Sequence, residues 1–256
     1  MIIKFNEIKK NSSNFINNKP FPHIVLDNIF DYEFLSLIEN EIKNIQEWDE
    51  NKNFHGSINK RIMNTYENFP PNVKKLINKL NNKDMLEALE RLTGEKNLIP
   101  DPYYFGGGIH STTRGGFLKI HADFNWHKKL KLFRRINLLL YLTKEWKEEY
   151  NGNIEFWKKP FNKADKSIFP KFGRMVIFTT DDNSFHGHPK PLQCPENIWR
   201  NSIALYYYSS TRPSKNFFIN RLGTDYVPVH NDNFKRVGIL RKIWGSIKYK
   251  LFPNKF

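Results

Sequence analysis

Cysteine is nearly absent from this sequence, since Cys194 is the single one among 256 residues. One cysteine cannot form an internal disulfide and cannot build a cysteine-rich zinc site. Any metal in this protein must therefore be held by histidine and carboxylate side chains.

Long apolar runs are also missing. No run approaches the roughly 18 to 20 residues that span a bilayer. The first residues, MIIKFNEIKKNSSNF, lack the apolar stretch and the cleavage site of a signal peptide. These absences predict a cytoplasmic protein with no transmembrane segment.

Acidic residues are few compared with basic ones, 26 against 41, which gives a net charge of +15. Such a surface attracts nucleic acid, anionic lipid or acidic small molecules. No RNA-binding aromatic signature, helix-turn-helix pattern or zinc finger is present, so we do not expect nucleic acid to be the partner. The excess is concentrated in residues 214–256, with nine lysines and arginines against two aspartates.

The order of the predicted elements, helices first and strands later, indicates the fold class. Asp31 is a candidate N-cap for a first long helix, a second begins at the prolines of PPNVKKLINKLN, and a third ends at Gly94. From Tyr103 onward the pattern favours strands at 103–111, 116–122, 134–143, 153–158, 173–179, 184–188 and 199–209.

Seven strands after a helical segment predict an α+β domain with a β-sandwich or jelly-roll core. We expect one domain over residues 1–213, with a helical lead-in (1–100) that covers one face of the sheet and a core at 103–213. Residues 214–256 then form a basic C-terminal extension.

A His-x-Asp pair within GGFLKIHADFN is the first sign of chemistry. Strand residues two positions apart point to the same face, so His121 and Asp123 could bind one metal ion, or one could simply form a hydrogen bond to the other. A site with two histidines and one carboxylate needs a further histidine from another strand, and both His186 and His188 follow. The other such pair, His230 and Asp232, contains the last histidine of the chain and indicates an ordinary loop.

Arg200 and Ser202 form a second pair that shares a strand face. An arginine fork can hold a carboxylate through two parallel N–H bonds, which a lysine cannot do. The pair therefore predicts a site for a small anion, although a structural ion pair would also account for Arg200.

In these motifs the chain resembles the 2-oxoglutarate- and Fe(II)-dependent oxygenases, particularly their prolyl-4-hydroxylase-like branch. The segments HAD, NLLLYLT, NGNIEFW, FHGHP and RNS follow the order of that family over residues 103–213. The resemblance implies a double-stranded β-helix fold. It also implies that His121, Asp123 and His186 are iron ligands and that Arg200 and Ser202 hold the distal carboxylate of 2-oxoglutarate. Tyr141 on the central strand could also reach the co-substrate with its hydroxyl, although a core tyrosine bonded elsewhere accounts for it equally well. NGN stands where a paired glycine is commoner, a departure that affects local geometry.

The family activity would couple oxidative decarboxylation of 2-oxoglutarate to succinate with C–H oxidation, which predicts a hydroxylase. The resemblance does not identify its substrate. Fe(II), 2-oxoglutarate and O2 are the implied cofactors, and ascorbate is a further candidate. A protein side chain, an amino acid and a glycan all stay open as substrates. The basic run HKKLKLFRR, just after the first two metal ligands, favours an acidic substrate if it rings the mouth of the site, and a solvated strand edge kept from aggregating by its lysines would explain the same residues.

Two alternatives to the hypothesis that this protein is a hydroxylase stay open. One is a jelly-roll binding module without catalysis, and the other is a metal-dependent jelly-roll enzyme that does not use 2-oxoglutarate. In addition, residues 234–252 show near-helical apolar spacing between basic residues. That segment either lies on an anionic membrane or packs on its own domain.

Overall fold

The computed structural model of the chain describes residues 2–211 and 221–229. Within them lie five α-helices, which are α1 (Phe5–Lys9), α2 (Ser12–Asn17), α3 (Tyr32–Lys43), α4 (Pro71–Leu80) and α5 (Lys83–Thr93). Single 3-10 turns occur at Tyr66–Asn68 and Glu148–Tyr150. No helix in this described part combines the length and the apolar character needed to cross a membrane.

The strands form one antiparallel sheet that curls on itself. They are β1 (His23–Leu26), β2 (Glu50–Phe54), β3 (Ser57–Met63), β4 (Ile99–Pro100), β5 (Gly108–Ala122), β6 (Trp126–His127), β7 (Leu132–Tyr141), β8 (Ile154–Trp157), β9 (Lys166–Ile168), β10 (Met175–Thr179), β11 (Phe185–His188), β12 (Arg200–Ser209) and β13 (Asp225–Tyr226). The main path runs β1-β10-β7-β12-β5-β11-β8-β9. This mixed architecture agrees with the predicted jelly-roll class.

The three longer helices begin and end where the sequence predicts. Asp31 caps α3 by accepting a hydrogen bond from the backbone N–H of Phe34 at 2.8 Å. Pro71 occupies the first turn of α4, where its missing N–H costs nothing. Gly94 ends α5 in the left-handed conformation, with φ of +79°.

Strands β7 and β12 are buried on both faces, which explains their nearly continuous apolar sequences. Because side chains alternate along a strand, one face of each joins the helices in a single core. Leu138 of β7 and Leu205 of β12 lie in this core with helix residues such as Leu76 and Leu89. The opposite faces, with Leu139 and Tyr206, point toward a cavity.

Strand β5 differs from the two separate strands predicted for this region, because it runs unbroken through the glycines at 115 and 116. Gly115 has φ of +73°, and both glycines exchange backbone hydrogen bonds with Leu192 at 2.8 and 3.0 Å. These bonds keep the strand paired where its sequence predicts a turn. Residues 103–107, predicted as strand, instead form turns whose N–H groups bond to Asp101.

The β2–β3 hairpin and β13 are elements that the sequence did not predict. β3 pairs with β5 over most of its length, and β13 adds two residues to the other end of β5. The proposed interfacial helix at 234–252 and the pair His230–Asp232 lie outside the described residues.

Candidate active site

A cavity of about 320 Å³ opens between the two halves of the curled sheet. Strands β3, β5, β7, β11 and β12 all contribute side chains to its wall. The wall includes the predicted site residues His121, Asp123, His186, His188, Arg200 and Ser202. The curl of the sheet thus brings together residues that are up to 81 positions apart in sequence.

His121, Asp123 and His186 form a cluster whose ligand atoms all lie within 4.8 Å of one another. His121 and Asp123 stand near the end of β5, and His186 of β11 is the register partner of His121. Nε2 of His121 is 3.5 Å from Oδ1 of Asp123, and Nε2 of His186 is 3.4 Å from Oδ2. These donor atoms are close enough for one ion to contact all three.

The backbone fixes the tautomer of both histidines. Nδ1 of His121 lies 2.8 Å from the carbonyl oxygen of Lys119, and Nδ1 of His186 lies 2.9 Å from that of Ser184. A carbonyl oxygen can only accept, so each Nδ1 carries the proton and each Nε2 keeps a lone pair toward the cluster. Burial and the neighbouring His121 lower the pKa of His186 to about 4, which keeps its ring neutral.

Asp123 is held by a buried polar network that the sequence did not reveal. Its Oδ2 accepts hydrogen bonds from Arg134 at 2.9 Å and from Nδ2 of Asn137 at 2.7 Å. Burial would raise the pKa of Asp123, but the opposing interactions, led by the positive charge of Arg134, hold that pKa well below its usual range. The carboxylate is therefore ionised, with Oδ1 left for a ligand.

His188 lies on the same strand as His186 but outside the three-residue cluster. It faces the cavity, and its Nδ1 is buried without a hydrogen-bond partner. A ring with no such partner lacks the bond that orients a metal-ligating histidine. Of the two alternatives, the geometry favours His186.

Arg200 begins β12 and is only 7% exposed. Its Nε donates to the carbonyl oxygen of Gly152 at 2.8 Å, and its guanidinium lies 4.9 Å from the centre of the Tyr141 ring. Ser202 stands two residues further along and pairs in register with Tyr141. The hydroxyl of Tyr141 is buried beside the guanidinium of Arg200, which can only donate to it, so the hydroxyl proton has no acceptor among the described residues. Tyr141 does not itself line the cavity. An anion beside Arg200 would give that hydroxyl an acceptor.

Gly152, the glycine of the NGN motif, packs against the side chain of Arg200 and accepts a hydrogen bond from it. It has φ of +82°, and a Cβ at this position would lie 2.7 Å from Cδ2 of Leu192, 3.0 Å from Cδ of Arg200 and 3.1 Å from Nε of Arg200. A larger residue would therefore press on both Leu192 and the arginine, and one or both side chains would have to move.

Gly152→Ala is expected to weaken 2-oxoglutarate binding by about tenfold, since displacement of the arginine moves the guanidinium away from its hydrogen bond. Calorimetry with Mn(II) in place of iron measures this affinity. Gly94→Ala is the matched control, because Gly94 also has positive φ (+79°) but nothing lies within 4 Å of its added Cβ. Both variants should lose about 1 kcal/mol of stability. Equal 2-oxoglutarate affinity in the two would contradict this role.

Of the basic residues at 128–135 that the structure describes, Arg134 alone lines the cavity, so the prediction that this run rings the mouth of the site is wrong. Arg134 is 1% exposed and bonds to Asp123, and Arg135 forms an ion pair with Glu95. Lys128, Lys129 and Lys131 are not among the residues that line the cavity. The pattern misled because two arginines inside an apolar strand are buried and paired, whereas surface lysines stay in solvent.

Residues 221–229 close one side of the cavity. Tyr226 of β13 pairs with His121, and their ring centres are 5.4 Å apart. Arg221 ties the segment down, because its Nε donates to the carbonyl oxygen of Asp123 at 2.9 Å and its guanidinium pairs with Asp182. Part of the predicted extension thus contributes to the wall of the site.

A buried cluster of two histidines and one carboxylate, inside a curled antiparallel sheet, defines the class of mononuclear metal sites with open coordination positions. The family model described as the 2OG-Fe(II) oxygenase superfamily matches residues 107–208, so this part of the chain is similar to that superfamily. The resemblance predicted from the motifs is confirmed. Fe(II) and 2-oxoglutarate, the predicted cofactors, are those of this family.

Solved structures of this fold include a prolyl hydroxylase from Trichoplax adhaerens in complex with a peptide fragment, at 16% identity and TM-score 0.55 over 80% of this chain and 90% of that one. A prolyl-4-hydroxylase from Pseudomonas putida matches at 12% identity and TM-score 0.56, over 78% and 98%. HygX from Streptomyces hygroscopicus, with nickel and 2-oxoglutarate bound, matches at 11% and 0.52, over 77% and 85%. No curated protein matches the sequence.

Proposed function

We propose that this oxygenase is a hydroxylase in which His121, Asp123 and His186 hold Fe(II). The observation that carries the proposal is the orientation of the cluster, where two Nε2 lone pairs and one carboxylate oxygen converge in a cavity. Neutral imidazoles and an ionised carboxylate are the donors that ferrous iron takes in oxygenases of this type. Bound iron would supply oxidative chemistry toward the co-substrate and a C–H bond.

The chain's own residues would bind and orient the co-substrate. Arg200 carries a positive charge in a buried position and would pair with the distal carboxylate of 2-oxoglutarate. Ser202 and the hydroxyl of Tyr141 lie on the same side and would donate to the same carboxylate. Arg134 and Asn137 hold Asp123 in one orientation, and the burial of the cluster excludes bulk water.

The relatives narrow the substrate of this protein only to broad chemical classes. The Trichoplax enzyme was solved in complex with a peptide fragment, and HygX was solved with hygromycin B bound. A protein side chain, an amino acid and a glycan or other small molecule therefore stay as candidates, and the cytoplasmic location stays a prediction.

Succinate release tests the proposal. The protein with Fe(II), 2-oxoglutarate and O2 should produce succinate, and a panel of peptides, amino acids and glycans should contain a compound that increases the rate and gains one oxygen atom by mass spectrometry. 2-Oxoglutarate binding without any succinate would favour a binding module. Metal-dependent turnover of a substrate without 2-oxoglutarate consumption would favour the other jelly-roll enzyme class.

A further inference from the structure

Three polar residues form a row across neighbouring strands of the cavity wall. Lys60 of β3 and Arg200 of β12 are both register partners of Thr112 on β5. Residues paired directly across antiparallel strands project to the same face. All three line the cavity, so the row Lys60–Thr112–Arg200 places two cations on one wall.

The charge of Lys60 has no partner in the described part of the chain. The ammonium group of Lys60 makes no ion pair or hydrogen bond there. The two carboxylates that act on it from a distance, Asp123 and Glu50, already pair with Arg134 and with Lys52, the other lysine of the cavity wall. Burial and the nearby Arg200 lower the pKa of Lys60 to about 8. A cation held in a cavity without a counter-charge is costly, so an anionic ligand would be stabilised there.

The charged groups that take part in the proposed function do not supply a counter-charge for Lys60. Asp123 is the one carboxylate among the described residues of the cavity wall, and Arg134 already pairs with it. One carboxylate of 2-oxoglutarate would meet the metal and the other Arg200. Lys60 would stay unpaired after both cofactors bind, which leaves room for a second anion.

The position of Lys60 indicates where that anion comes from. Two strand spacings separate Lys60 from Arg200, which puts their Cα atoms about 10 Å apart. Lys60 is half-buried while Arg200 is buried, so Lys60 stands nearer the opening of the cavity. A ligand that enters after the co-substrate would reach Lys60 first.

We propose that Lys60, with Thr112 beside it, binds a carboxylate or phosphate group of the primary substrate, which makes that substrate an anion. The inference rests on the proposed function, because it takes Arg200 as the partner of 2-oxoglutarate. It recovers the acidic substrate expected from sequence, but through a residue of the unpredicted strand β3 in place of the run at 127–135.

Inorganic phosphate serves as the probe, with Mn(II) in the metal site and 2-oxoglutarate at saturation. Mn(II) speeds the 31P relaxation of phosphate held near it, so the measurement reports binding inside the cavity. We expect this effect in the wild type and in Lys52→Met, and its reduction by about tenfold in Lys60→Met, which removes the charge and keeps the chain length. Lys60→Arg should restore it. Calorimetry should give all four proteins the same 2-oxoglutarate affinity within about twofold.

The possible results of this experiment distinguish a failure of the proposed anion site from a failure of the proposed function. Equal 31P relaxation in the wild type and Lys60→Met, or none in the wild type, would overturn the anion site. A fall in 2-oxoglutarate affinity in Lys60→Met would assign Lys60 to the co-substrate and also overturn it. Absence of 2-oxoglutarate binding in the wild type would contradict the proposed function itself. Thermal unfolding of each variant checks that it is folded. If Lys60→Met does not fold, the comparison of Lys60→Arg with the wild type remains as the test.

Discussion

His186→Ala is expected to abolish metal binding and succinate formation. In the proposed site three side chains supply the ligands, so removing one leaves two donors and no spare among the clustered residues. Changes of groups that only support a ligand already lower metal affinity by about 10- to 100-fold, and the loss of a ligand should exceed that. Calorimetric titration with Mn(II) and an anaerobic Fe(II) succinate assay measure the two effects. His121→Ala and Asp123→Ala should behave in the same way.

His188→Ala is the matched control for this prediction. The two histidines lie two residues apart on β11, are both 6% exposed and both face the cavity. Only His186 has its Nε2 beside Asp123 and its Nδ1 held by a carbonyl oxygen. We therefore expect His188→Ala to keep its metal affinity. Binding that is lost in His188→Ala and kept in His186→Ala would show that the ligand was assigned to the wrong histidine.

Arg200→Ala is expected to weaken 2-oxoglutarate binding by about 2 to 4 kcal/mol. The reason is that the distal carboxylate would be buried without its charged partner in a site that excludes water. Ser202→Ala should cost less, since it removes one hydrogen bond of a neutral donor. Arg200→Lys should not restore full affinity, because an ammonium cannot form two parallel bonds to a carboxylate. Anaerobic calorimetry with Mn(II) gives each affinity.

Arg114→Ala controls for the general loss of positive charge. Arg114 also lies on a strand next to this region, but its guanidinium bonds to the carbonyl oxygen of Cys194 and does not line the cavity. Its replacement should leave 2-oxoglutarate affinity unchanged. If Arg200→Ala and the wild type bind 2-oxoglutarate equally well, the co-substrate lies elsewhere or is not bound.

The elements that local sequence rules describe were predicted well. A cap such as Asp31 or a stop such as Gly94 acts within a few residues, so its signal is readable from the chain alone. The alternation that marks strands is equally local. Pairing is not, and for this reason the glycines at 115 and 116 indicated a turn when their bonds to Leu192 in fact extend β5.

The residues of the candidate site divide in the same way, into those that local sequence predicts and those that depend on strand pairing. His121 and Asp123 could be paired from their spacing, and Arg200 with Ser202 in the same way, because each pair lies on one strand. Arg134 could not be connected to Asp123, since that contact depends on how two strands meet. A charged residue inside an otherwise apolar strand is the signal that could have revealed it. Lys60 was missed because ENKNFHGSINKRIM is too polar to show a strand pattern.

Strand β5 has a consequence for how the chain folds during synthesis. The strands that pair with β5 around the site are distant from it in sequence. β3 (Ser57–Met63) precedes it, and β11, β12 and β13 follow it. Contacts between distant residues form slowly, because the intervening chain must first be closed into a loop. A nascent chain that ends before residue 200 carries the His-x-Asp strand but neither Arg200 nor Tyr226. The ability to bind ligands should therefore appear only when the last residues of β12 and β13 have left the ribosome and paired.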